Sequence, residues 1–121
     1  MLWVTSAFSL SMLLSSLGDT EATVSIRTLD LVEARQLLSE NRWQSAVGHE
    51  ATARIISKVL GVDVPAERKQ VALGEGDKVL VFQLLQRLPE GKVLGEEELA
   101  EVVRNQKWRF VLVEVERLEV R

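Results

Sequence analysis

The chain has 121 residues, a formal net charge of −3, no cysteine, no tyrosine and a single histidine, His49. That length suits one domain with its own core. The missing thiols exclude disulfides, thiolate nucleophiles, iron–sulfur clusters and cysteine zinc sites. The acidic balance, with a pI near 5.2, argues against gripping long nucleic acid or an anionic membrane, but not against a small anion held by a local basic cluster.

The chain opens with residues Met1 to Gly18, which carry no charged side chain. A secretory leader would need a basic start and an unbroken apolar run. Here the first basic residue is Arg27, and hydroxyls at Thr5, Ser6, Ser9, Ser11, Ser15 and Ser16 interrupt the apolar positions. The segment is expected to form a buried strand over Leu2–Val4, then a helix over Phe8–Leu14 begun by Thr5 or Ser6. Cytoplasmic residence follows as the expectation.

Ala22–Arg27 is β-branched and alternating, which predicts a strand. Asp30–Leu38 predicts a helix, with Asp30 as N-cap and Glu33 at capping-box spacing. Glu50–Leu60 carries the clearest helical pattern. Ile55/Val59 and Ile56/Leu60 share one face, and Gly61 suits the terminating position. Lys69–Leu73 and Lys78–Gln86 read as strands joined by a Gly74–Asp77 turn. Val79-Leu80-Val81-Phe82 is apolar on both parities, as a central strand covered on both faces would be. Glu96–Arg104 predicts a helix whose charges complement its dipole. Trp108–Val120 predicts a long strand with a bulge near Arg117, where the apolar parity shifts. Further turns are expected at Leu17-Gly18-Asp19, Gly61-Val62-Asp63 and Leu88-Pro89-Glu90-Gly91. The sum is a single α/β domain, residues 1–121, with a mixed sheet of about five strands and flanking helices. Pattern leaves the strand order open.

Four places could carry chemistry. His49 follows Gly48 at the start of a helix, where backbone N–H groups favour an anion. Taken alone, it also reads as an ordinary helix-flanking residue. Gln83, Gln86, Arg87 and Glu90 run off the end of the central strand. Arg87 offers a phosphate fork and Glu90 a proton acceptor, though taken alone a Pro-Gly turn with an ordinary surface ion pair is the plainer account. Gln83 and Gln86 lie on opposite faces of the strand, so at most one joins a given site through it. Hydroxyls at Thr5, Ser6, Ser9 and Ser11 cluster at a strand-to-helix junction, where simple capping is the plainer account. Arg68 and Lys69 form a basic pair at a strand entry. No Walker loop, GxGxxG, HExxH or Ser/His/Asp pattern is present.

Three blocks together say more than any one. Ala7-Phe8-Ser9-Leu10-Ser11-Met12-Leu13, Ala46-Val47-Gly48-His49-Glu50-Ala51-Thr52 and Gln86-Arg87-Leu88-Pro89-Glu90-Gly91-Lys92-Val93-Leu94 occur in this order. In these blocks the chain resembles the ring-nuclease family of type III anti-CRISPR proteins, over about Leu2 to Leu94. The resemblance implies a homodimer that binds cyclic tetraadenylate across its interface and cuts it to linear diadenylates without a metal or cofactor. It implies His49 as catalytic histidine, with Arg87 and Glu90 completing the active site. Ser6, Ser9, Ser11, Arg68, Gln83 and Gln86 would contact substrate. Ser6 stands where the family pattern has Asn, and Ala51 where it has Ser. A non-catalytic sponge for the same ligand, or a small interaction module, are the alternatives.

Overall fold

The computed structural model describes residues 1–14, 19–86 and 95–120. Among them lie five strands, three α-helices and one short 3₁₀ turn, in the order β1 (Leu2–Thr5), the 3₁₀ turn (Leu10–Met12), β2 (Thr20–Leu29), α1 (Leu31–Glu40), β3 (Trp43–Ser45), α2 (Glu50–Leu60), β4 (Lys78–Leu84), α3 (Glu96–Asn105) and β5 (Trp108–Val120). The strands form one mixed sheet in the order β2-β5-β4-β1-β3. β1 pairs in parallel with β3 and β4, while β5 runs antiparallel to both β4 and β2. The α/β class and the number of strands agree with the sequence expectation, and four of the five expected strands are present.

Strand pleat sends alternate side chains to opposite faces, and the two faces are covered differently. Leu2, Val4, Leu80, Phe82, Phe110 and Leu112 join buried residues of α1, α2 and α3 in one cluster. Phe82, Phe110 and Trp108 form its aromatic centre, with ring centroids 5.4 to 6.0 Å apart. Val79, Val81, Val113 and Val115 face the other way, against Leu13, Val71 and Leu73. No helix among the described residues covers this second face. β4 is therefore buried on both sides, as its run of apolar residues predicts.

Local signals act where expected. The Asp30 carboxylate accepts from the Glu33 N–H at 2.7 Å, and Glu33 accepts from the Asp30 N–H at 3.1 Å, a closed capping box. α2 spans the expected residues and ends at Gly61 in the left-handed region, φ 72°. The β2–β5 register shifts between Thr23 and Val24, opposite Arg117 and Val115, placing the expected bulge.

Three expectations are corrected. Phe8–Leu14 is no α-helix, and its regular part is the 3₁₀ turn Leu10–Met12. Serines favour local bonding over helix propagation, and Phe8, Met12 and Leu13 are drawn down onto the sheet. Lys69–Leu73 is no strand. Val71 and Leu73 are buried in alternation, but the positions beside β4 belong to β1 and β5, so the segment crosses the sheet face instead. Its Leu73 N–H donates to the Met12 carbonyl at 2.8 Å, tying the two irregular covers together. β3, with three residues, is too short to show periodicity and was not expected. Leu17, Gly18 and the Leu88–Gly91 turn lie outside the described residues.

α3 docks on α2 through buried Leu99 and Val102 and through Glu96, whose carboxylate lies 3.0 Å from Lys58 and 3.7 Å from Arg54. The Lys58 ammonium, with help from Arg54, holds the Glu96 carboxyl below its ordinary range. A lowered folded pKa stabilises above the unfolded value and is lost as pH falls through the folded one. Thermal midpoints should therefore fall slightly less on acidification below about pH 4.5 in Glu96→Gln than in the parent chain. Gly61→Ala, forcing a side chain into the left-handed region, should cost about 1–2 kcal/mol in urea unfolding.

Candidate functional site at the carboxyl edge of the parallel strands

β1, β3 and β4 are parallel neighbours, so their carboxyl ends meet at one edge of the sheet. In α/β sheets that edge is where ligands commonly bind. Ser6 leaves β1 there, Ala46 to His49 leave β3, and Gln86 lies just beyond β4.

The β3 exit is held by backbone bonds. The Ala46 N–H donates to the Val4 carbonyl at 2.8 Å. Ser45, buried, accepts from the Val47 N–H at 3.3 Å and donates to the Pro65 carbonyl. Val47 then forms a parallel bridge with Ala66, and the Glu67 N–H donates to the Val47 carbonyl at 2.8 Å. This pairing delivers Arg68 to Gly48: a methyl added at Gly48 would lie 3.9 Å from the Arg68 Nε. Gly48 does not have a positive φ, so its backbone conformation does not demand glycine. Its bare backbone instead forms the surface over which Arg68 lies.

His49 occupies the N-cap position of α2, with extended backbone at φ −124° and ψ 130°. Its carbonyl accepts the first helical bond, from the Ala53 N–H at 3.0 Å, while its side chain makes no cap bond. The imidazole is exposed beside the positive end of the helix dipole. An exposed imidazole, a helix N-terminus and a guanidinium thus share one corner, suited to a phosphate and to moving a proton on it.

A second group lines a cleft of about 550 Å³ on the helix-free sheet face. Its floor is Val81, Val111 and Val113, with Ile26 alongside. Ser6, Ala7 and Phe8 form a wall, and Gln83 and Arg109 close the edge. Gln83 and Arg109 are direct cross-strand partners, with the Arg109 Nε donating to the Gln83 Oε1 at 2.5 Å. Ser9 and Ser11 share a hydroxyl–hydroxyl bond of 2.7 Å at the 3₁₀ turn.

The structure therefore brings Arg68 to Gly48, the chain neighbour of His49, places Ser6 and Gln83 in one cleft, and pairs Ser9 with Ser11. Arg87 and Glu90 lie outside the described residues. Arg109 is a site residue that sequence reasoning passed over. Its signal is parity, since it is a charge in register with Val111 and Val113 on an otherwise apolar strand face. Thr5 belongs to the hydroxyl cluster read from sequence. It is 2% exposed, ends β1 beside Ser6, and its hydroxyl has no hydrogen-bond partner among the described residues. Among those residues no three His, Asp or Glu side chains converge in a metal-ligating group, and no helix is long and apolar enough to cross a membrane.

A family model described as STIV B116-like matches residues 2–108. The chain belongs to the STIV B116-like family. B116 of Sulfolobus turreted icosahedral virus, a solved structure, superposes with a TM-score of 0.70 at 30% identity, covering 93% of this chain and 97% of that one. Among sequence relatives, uncharacterized protein 26 of Sulfolobus islandicus filamentous virus is 40% identical over 96 residues, 79% of this chain and 81% of the relative. Uncharacterized protein YddF of Bacillus subtilis is 30% identical over 95 residues, 77% and 84% of the two chains. The B116-like match over residues 2–108 includes all three sequence blocks.

Because Gly48 has compatible dihedrals and room for a methyl, Gly48→Ala should keep or raise stability by about 0.4–1 kcal/mol in urea unfolding. A clear destabilisation would show that the backbone at this corner does require glycine.

Proposed function

We propose that this B116-like protein is a metal-independent ring nuclease. It cleaves cyclic tetraadenylate to linear diadenylates and so switches off type III CRISPR signalling. The observation that carries the reading is the corner where exposed His49, at the N-terminus of α2, meets Arg68 over Gly48. The three sequence blocks and the B116-like family membership support it.

RNA brings its own nucleophile. The ribose 2′-hydroxyl attacks the adjacent phosphorus, the bond to the 5′-oxygen breaks, and a cyclic phosphate remains. The protein must align the hydroxyl, stabilise the charge on phosphorus and protonate the leaving oxygen. In this reading Arg68 and the helix N-terminus hold phosphate, and His49 gives a proton to the leaving 5′-oxygen. Arg87, which the sequence puts after β4, adds grip and alignment. Glu90 positions the 2′-hydroxyl or tunes His49. Ser6, Ser9, Ser11, Gln83 and Gln86 contact the ring. A two-fold homodimer would supply each group twice, matching a ligand of repeated units.

His49→Ala should slow single-turnover cleavage by roughly 10²–10⁴, the usual worth of a general acid, with ligand affinity little changed. An unaltered rate removes His49 from the chemistry. Cleavage should also continue in EDTA, followed by chromatography of labelled ring and linear products, and loss on chelation would point to a metal nuclease. Intact ring recovered after prolonged incubation with tightly binding protein would identify a sponge instead.

A further inference from the structure

The cleft on the helix-free face contains a side-chain pair of which the ring-nuclease reading uses only Gln83. Its floor is a grid of strand positions. Val79, Val113 and Ile26 form one cross-strand row, Val81, Val111 and Thr28 the next, and Gln83 with Arg109 the last. The first two rows are mainly apolar and stay partly open, with Ile26 63% exposed. The last row is polar and sits at the carboxyl edge of β4.

Glutamine is normally ambiguous, since one end of its amide accepts and the other donates. Arginine removes the ambiguity. A guanidinium carries five donors and no acceptor, so the amide facing Arg109 must present its oxygen. The Arg109 Nε donates to that oxygen at 2.5 Å from the position directly across the β4–β5 ladder. The Gln83 NH₂ is left as the end that meets a ligand. The cleft therefore offers an apolar floor for a flat or apolar group and, at Gln83 and Arg109, an edge with more donors than acceptors.

We infer that Arg109 is a positioning residue that locks the Gln83 amide as a hydrogen-bond donor, so that the cleft selects an acceptor atom of the nucleotide. A ring nitrogen and a phosphate oxygen both have that chemistry. A ligand edge carrying N–H opposite the Gln83 NH₂ would meet it donor to donor and bind more weakly. This inference rests on the ring-nuclease reading for its ligand, and on this chain's own Gln83–Arg109 pair for its mechanism.

The test is a double-mutant cycle on binding. Cyclic tetraadenylate is titrated calorimetrically into protein carrying His49→Ala, so that the ring stays intact. Gln83→Met and Arg109→Met should each weaken binding roughly tenfold, about one net hydrogen bond. Arg109→Met should add nothing in the Gln83→Met background, because it acts through Gln83. Arg109→Lys, whose ammonium still donates to Oε1, should bind within about threefold of the parent. Both side chains are exposed, so thermal midpoints should stay near the parent value and confirm that the variants fold. Additive losses in the cycle, or an Arg109→Met protein that binds like the parent, overturn the inference and leave the ring-nuclease reading intact. A parent that binds no cyclic oligoadenylate overturns both.

Discussion

The structure depends on the pairing of β1, four residues long, between β4 and β3. Both of its edges are hydrogen-bonded in parallel, so three strand ends are forced to one side of the sheet. Parallel strands of one sheet need a crossover, and α2 lies in the one that runs from β3 past β1 to β4. Its N-terminus therefore has to start at that same edge. Gly48 and His49 are where they are because the chain must leave β3 and enter α2 there.

The second constraint is the unequal cover of the two faces. Three helices fill one side with large residues, including the Phe82–Phe110–Trp108 cluster. The other side has the two irregular segments around Phe8–Leu13 and Val71–Leu73. Irregular cover is shallower and less complete than a helix, and a cleft stays open over Val81, Val111 and Val113. That same incompleteness makes room for a ligand. The residues that the sequence blocks single out thus reach two adjoining places: a phosphate-suited corner at His49 and Arg68, and an apolar-floored cleft at Ser6 and Gln83.

The chemistry proposed for these places asks little of the protein. When the substrate carries its own hydroxyl nucleophile, alignment and one proton donor are the main requirements. A chain with no cysteine and one histidine can meet them, and two-fold assembly would double the supply. Net charge of −3 is compatible with this, because Arg68 and the α2 terminus act locally rather than through the field of the whole molecule.

Sequence by itself determined the elements whose signals are local. The capping box at Asp30 and Glu33, the extent of α2 with its terminal Gly61, the double-faced burial of β4 and the bulge near Arg117 all follow from neighbours within a few residues. The blocks around Ser9, His49 and Gln86 were also legible, since their order and composition are properties of the chain. Tertiary structure alone decided what depends on who lies beside whom. Lys69–Leu73 has the alternation of a strand, yet β1 and β5 occupy the ladder positions it would need. Phe8–Leu14 has helical spacing, yet its apolar side chains are claimed by the sheet. Arg68 meets Gly48 through a bridge between Val47 and Ala66, and Arg109 meets Gln83 through antiparallel register. Those contacts join residues some 20 or more positions apart, and periodicity carries no information about pairing across such a distance.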